Sequence, residues 1–137
     1  MVTAEEFLGA QLKALYRIQY TLSLADAAAA SHSLKSDLLS QLSGLDQLES
    51  QLQALSAQLG WEVRDMEPID RWRISMRFHS RSDPKIAQHL INMYMQEFIE
   101  LQKLYNRLKS DGTTVRRLFQ KFIDRCTVGI RQMQPFL

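Results

Sequence analysis

Three residue types that shape many folds are scarce in this sequence. Among 137 residues there are one cysteine, three prolines and five glycines. A single cysteine cannot form an internal disulfide, which favours a reducing compartment, and we expect the cytoplasm. The few prolines and glycines argue against an all-β fold, which needs them at its turns. Helix-favouring residues such as Leu, Ala, Gln and Arg are abundant instead, and they predict an all-α protein.

Long apolar runs are also missing. No segment approaches the ~20 apolar residues of a membrane-spanning helix, and the first residues lack the basic and apolar regions of a secretory signal. The net charge is +2, but it is uneven. Residues 1–60 hold three basic and six acidic side chains, a balance of −3, whereas residues 61–137 hold fourteen and nine, a balance of +5. The second half is therefore the better candidate for an anionic partner.

Four segments repeat apolar residues at steps of three and four, which places those residues on one face of a helix. The predicted helices span residues 4–30, 34–59, 84–110 and 114–134. A Ser-His-Ser break at residues 31–33 separates the first two, and Asp111 with Gly112 is expected to end the third. Thr113 or Thr114 is expected to cap the fourth.

Other helix ends have their own signals. Thr3 and Glu6 form a capping box ahead of the first helix. Gly60 suits a left-handed residue after the second. Asp83 is expected to be the N-cap of the third helix, with Pro84 as its first helical residue.

The connection over residues 60–83 is long enough to travel the length of the second helix. About 25 helical residues at ~1.5 Å each extend ~38 Å, whereas ~22 extended residues reach ~70 Å. The third helix can therefore start beside the second and run parallel to it. Two hairpins joined by one long crossover define a ferritin-like four-helix bundle. The sequence thus predicts a single domain of this kind over residues 1–137.

The conformation of residues 61–82 has two interpretations. Apolar and polar residues alternate from Arg71 to His79, which favours an extended or irregular segment half-buried on the core. A short helix beginning at Pro68 is the alternative. Its apolar residues at helical spacing would be Met66, Ile69, Trp72 and Met76. In either case Trp61 and Trp72 are expected to be substantially buried, since their apolar area is large.

Three short stretches resemble the ferritin-like bundles related to spore coat protein F. They are Leu55 to Trp61, with Gly-Trp following the second helix, then Met76 onward with Ile86 to Ile91, and the closing residues 118–137. The resemblance implies a four-helix bundle and a role in sporulation or in the spore. It implies no defined reaction.

No constellation of residues indicates catalysis. A di-iron site of the ferritin-like kind requires Glu-x-x-His on two helices, and this sequence has no such motif. The three histidines lie near breaks or helix starts, at His32, His79 and His89. Glu97 and Glu100 are expected on a solvated face, and Cys126 is expected to be a buried, inert thiol. We therefore predict no catalytic residue, no cofactor and no metal.

The most suggestive group of residues is basic. This basic crossover patch consists of Arg71, Arg73, Arg77, Arg81 and Lys85. Basic residues interleaved with Trp72 and Phe78 could bind phosphates and stack bases. The same alternation also describes an edge segment laid over a core, with its apolar side inward and its charged side outward.

Three functions are consistent with these patterns. The leading hypothesis is a non-catalytic structural or interaction protein, associated with the spore by resemblance. An alternative is a module that binds anions, nucleic acid or a membrane surface through the basic crossover patch. A ferritin-like metal protein is the third, and its ligands are missing. Excess apolar residues near Met93 and Met95 also predict a homodimer or a protein partner. The alternative is a monomer in which the crossover folds over these residues.

Overall fold

The computed structural model describes residues 1–62, 64–110 and 112–137. Within them the secondary structure is helical, and no strand is formed, so the all-α prediction is confirmed. The helices are α1 (Ala4–Ala28), α2 (His32–Leu59), α3 (Pro68–Arg77), α4 (Asp83–Tyr105) and α5 (Thr113–Met133), followed by a 3-10 turn at Gln134–Phe136.

Several helix ends follow the sequence signals. The Thr3 side chain accepts a hydrogen bond of 3.1 Å from the backbone N–H of Glu6, as a capping residue does. Ser31 caps α2 in the same way, by accepting from the Leu34 N–H at 3.1 Å. Gly60 follows α2 with φ of 74°, the left-handed conformation expected of it.

Two predicted caps are wrong. Ser82 occupies the N-cap position of α4, and Asp83 is already helical. Its carboxylate turns instead to the α1–α2 turn, where it accepts from the N–H groups of Ala30 at 2.9 Å and Ser31 at 3.2 Å. The N-cap of α5 is Gly112 rather than a threonine, because the helix already begins at Thr113.

The helix predicted over residues 84–110 ends early, at Tyr105. Beyond it the chain turns so that Leu108 pairs with Val2 in an isolated parallel bridge. The Val2 N–H donates to the Arg107 carbonyl and the Lys109 N–H donates to the Val2 carbonyl, both at 2.9 Å. These bonds replace helical ones at residues 107–109. Asp111, expected to help end this helix, lies outside the described residues.

The long helices pack in antiparallel pairs. Helix α1 contacts α2 and α4, and α5 contacts the same two helices. Asp83, at the start of α4, meets the end of α1, and Leu108, past the end of α4, meets Val2. Helices α1 and α4 are therefore antiparallel. Each short connection also reverses the chain, so α2 and α4 run parallel, as expected. They do not lie side by side as predicted, because each packs chiefly against α1 and α5.

Leucine and aromatic side chains fill the space between these helices. Leu15, Leu22, Leu38 and Leu90 are fully buried. Near one end, aromatic rings meet at centroid distances of 4.7–5.6 Å, in a cluster of Phe7, Tyr105 and Phe119. Cys126 is buried in the core, and burial raises the pKa of its thiol far above the ordinary value. The prediction that this cysteine is buried is confirmed.

The Asp83 carboxylate should make a measurable contribution to stability that depends on pH. Hydrogen bonds, first from the Ala30 N–H and then from Ser31, lower the pKa of Asp83 in the folded protein. A depressed folded pKa gives stability that is present above the unfolded value of ~3.9 and is lost as pH falls through the folded pKa. Replacing Asp83 with Ala should therefore cost about 1 kcal/mol at neutral pH, like the loss of a cap.

The free energies of unfolding of the wild type and of D83A are measured in urea at neutral pH and near pH 2. The lower pH lies below the ordinary Asp pKa of ~3.9. The difference between the two proteins should shrink at the lower pH. D124A is the matched control, because Asp124 is exposed and accepts from Gln120 of the same helix. A cost for D83A that is the same at both pH values would contradict the role given to the carboxylate.

Candidate docking surface

The crossover contains a helix, α3, which begins at Pro68. The helical alternative is therefore right for residues 68–77, and the favoured extended or irregular conformation is wrong there. A lone extended segment would leave its backbone N–H and C=O groups without neighbours, whereas a helix pairs them within the segment. Proline at the first helical position is favourable for that start, since its missing N–H has no partner there in any case.

Helix α3 is held to the rest of the protein by one side. It packs along α1, where the Ser75 and Tyr20 hydroxyls form a hydrogen bond of 2.7 Å. Ile74 is partly buried on the same side. Past the end of α3, the Phe78 ring meets His89 of α4 edge-on at a centroid distance of 5.0 Å. The helix is therefore fixed in orientation on the surface.

The apolar face of α3 points away from the core. Ile69 is 49% exposed, Trp72 59% and Met76 54%. Their spacing of three and four places them on one face, and of the ten residues of α3, all described, none is buried. The predicted burial of Trp72 is wrong. Two positions correspond to about 200° around a helix, so an inward Ile74 turns Trp72 outward.

The other tryptophan behaves differently. Trp61 is partly buried and packs against the core, and its backbone N–H donates to the Ser56 carbonyl at 2.8 Å. It thus anchors the start of the crossover at the end of α2, in partial agreement with the prediction.

The basic crossover patch divides in the folded chain. Arg73 and Arg77 are exposed, one turn apart on α3, beside the apolar face. Arg81 and Lys85 are exposed beyond the helix, and Arg81 lines a cavity that includes Ser75 and Phe78. Within residues 1–62, 64–110 and 112–137, none of these four cations forms an ion pair.

Arg71 is separated from the other members of the patch. Its guanidinium lies 3.3 Å from the Asp65 carboxylate, and both groups are exposed. It lines a cleft of about 430 Å³ between the crossover, α1 and α2. In this cleft Gln53 Nε2 donates to the Tyr16 hydroxyl at 3.2 Å and to Glu49 at 2.9 Å. The polar groups of the cleft therefore bond largely to one another and join the crossover to the first two helices.

Helix α4 also carries a buried carboxylate that the sequence did not reveal. The expected solvated face holds for Glu100, which is exposed, but is wrong for Glu97. Arg17 of α1 reaches Glu97 with a bidentate pair of hydrogen bonds, at 2.8 and 3.1 Å. Burial raises the pKa of Glu97, and the Arg17 hydrogen bond and charge oppose that rise. The pair fixes the register of α1 against α4.

A second buried polar contact joins α2 to α4. The Tyr94 ring is fully buried, and its hydroxyl donates to Gln41 Oε1 at 2.6 Å. Among the described residues, no three His, Cys, Asp or Glu side chains converge as a metal site would require. These interior contacts therefore set helix pairing, and the exposed face of α3 is the better candidate for function.

No helix of the described chain combines the length and apolar character needed to cross a bilayer. Comparison of the chain with known protein families, with characterised proteins and with solved structures finds no match. Function is therefore inferred from the helical scaffold and from the surface of α3.

Proposed function

We propose that this chain is a non-catalytic interaction protein that binds an anionic partner through α3. In this proposal the four long helices form a ferritin-like four-helix bundle, which serves as a rigid support. The antiparallel pairing of neighbouring helices and the long crossover favour that arrangement. The association with spores and the homodimer stay predictions.

The observation that carries the proposal is the outward face of α3. Trp72 is more than half exposed on a helix that is fixed to α1 on its other side. Large apolar side chains grouped on a surface and bordered by charged residues mark interaction sites. The bordering residues here are Arg73 and Arg77, whose planar guanidinium groups suit phosphate, sulfate and carboxylate oxygens.

Binding to a heparin oligosaccharide at several salt concentrations tests the anionic preference. The double variant R73Q/R77Q should lower the slope of log affinity against log salt by about 2, one for each lost ionic contact. It should also bind more weakly at every salt concentration.

The matched control is R117Q/R131Q, which removes the same charge from two exposed positions of α5. Helix α5 packs against α2 and α4, whereas α3 packs against α1. This variant should retain the affinity of the wild type. Equal losses in the two double variants would show that net charge alone governs binding, and would reject α3 as the site.

A further inference from the structure

We propose that the anionic partner is a lipid surface, on which α3 lies flat with Ile69, Trp72 and Met76 inserted at the headgroup boundary. This inference rests on the proposed function and names its partner. A helix of this kind needs an apolar stripe, basic residues beside the stripe, and an orientation that turns the stripe outward. Helix α3 has all three.

The angular order of the side chains suits insertion. At 100° per residue, Trp72, Met76 and Ile69 occupy an arc of about 60°. Arg73 and Arg77 follow at about 40° and 80° beyond Ile69. Side chains so placed can lie at the level of lipid phosphates while the apolar arc enters the bilayer. Tryptophan is also the residue most typical of the boundary between lipid and water.

The acidic residues near α3 do not occupy this face. Asp70 lines a cavity on the bundle side, together with Lys13 and Arg17 of α1. Asp65 pairs with Arg71 and lines the same cavity as Asp70. Glu67 is the N-cap residue of α3, where a negative charge stabilises the helix dipole. Anionic lipid therefore meets arginines along the apolar arc.

The composition of the apolar arc favours lipid over nucleic acid. Trp72 could stack on a base, but Ile69 and Met76 have no ring with which to do so. Their exposed area is better buried among hydrocarbon chains. The phosphates of a nucleic acid would pair with the arginines, but two of the three apolar residues would stay in water.

The position of α3 on the protein surface favours binding to a planar surface over binding in a groove of another protein. A helix bound in a groove is surrounded on several sides, whereas α3 has one side occupied by α1 along the crossover. Arg81 and Lys85 are also exposed, beyond the end of α3. A planar surface can contact the outward face of the helix, which α1 leaves open.

Vesicle co-sedimentation of the full chain is the first test. The probes are phosphatidylcholine vesicles and vesicles of phosphatidylcholine mixed equally with phosphatidylglycerol. The wild type should bind the anionic vesicles and show little binding to the neutral ones. The triple variant I69S/W72S/M76S should lose about tenfold or more in affinity, because three half-exposed apolar side chains no longer leave water.

The matched control for the apolar face is L39S/L59S. Leu39 and Leu59 are exposed apolar residues of α2, 57% and 51% respectively, and lie outside the crossover and away from the predicted dimer face at Met93 and Met95. This variant should bind the vesicles as the wild type does. Circular dichroism of each variant, compared with the wild type, establishes that a loss of binding is not a loss of fold.

Insertion itself is measured by fluorescence in a W61F background, where Trp72 is the sole tryptophan. Its emission should shift to shorter wavelength on anionic vesicles. Absence of that shift, or full binding by the triple serine variant, would reject insertion. Heparin binding without vesicle binding would overturn the lipid inference and leave the proposed function standing, with an acidic protein or nucleic acid as the anion. Failure with both probes would reject both proposals.

Discussion

Replacing Phe7 with Ala should lower the free energy of unfolding by about 3–5 kcal/mol, the usual cost of removing a buried aromatic ring. Phe7 is fully buried. It meets Phe119 and Tyr105 edge-on, at centroid distances of 5.2 and 5.6 Å. The cavity left by the ring would lie between α1, α4 and α5, so the loss affects three helices together.

Trp72→Ala is the informative comparison, since it removes a still larger side chain. Because Trp72 is 59% exposed, its truncation should cost less than about 1 kcal/mol. Urea denaturation followed by circular dichroism measures both variants without relying on tryptophan emission. A cost for W72A close to that for F7A would mean that α3 packs with its apolar face inward, and the proposed docking surface would not exist.

The second large effect is expected at Gly129. A Cβ built there would collide with Cε2 and Cζ of the Tyr94 ring. That ring cannot readily move aside, because it is fully buried and its hydroxyl is bonded to Gln41. Gly129→Ala should destabilise the protein by about 2 kcal/mol through overpacking, although Ala favours the helix by ~1 kcal/mol.

Gly9 provides the control, because a Cβ built there meets no described atom within 4 Å apart from its chain neighbours and the backbone of its own helix. Gly9→Ala should be neutral or stabilising by up to ~1 kcal/mol. Gly44→Ala is intermediate, since the neighbouring atoms belong to the flexible Arg125 side chain. If thermal unfolding gives G129A the same midpoint as G9A, the close packing of α4 and α5 at Tyr94 is wrong.

The sequence alone predicts the long helices well, because their signals are local. Apolar spacing, the Thr3 cap, the break near Ser31 and the glycine after α2 each depend on residues within one or two turns. Gly44 and Gly129 lie inside helices too, and a Cβ at either position would meet a side chain of a neighbouring helix, Arg125 and Tyr94 respectively.

The details that sequence reasoning missed depend on distant partners. Arg17 and Glu97 are separated by 80 positions, and nothing near either residue indicates the other. In the sequence Asp83 looks like an ordinary N-cap. In the structure its carboxylate instead accepts a hydrogen bond of 2.9 Å from the Ala30 N–H in the α1–α2 turn. A carboxylate next to a proline can either cap its own helix or accept hydrogen bonds from a distant turn, and the tertiary contact decides which of the two it does.

The candidate surface was predicted in part. The basic residues of the crossover were recognised, and Arg73 and Arg77 lie beside an exposed apolar face. The predicted orientation of that face, toward the core, was wrong, because a large apolar side chain is usually assigned to the core. In a ten-residue helix with apolar residues on two sides, the pattern does not specify which side packs. Here the Ser75–Tyr20 contact and the partial burial of Ile74 decide it.

The order of the contacts along the chain shows that the crossover links two helical hairpins. Helices α1 and α2 form one hairpin of local contacts, and α4 and α5 form another. The interface between the hairpins joins residues far apart in sequence, such as Gln11 and Leu118, 107 positions apart. The crossover is thus a tether that raises the effective concentration of one half for the other. Cleavage of the backbone near the exposed Glu67 would leave two fragments that keep the complementary faces of the intact chain. Their reassembly would depend on their concentration.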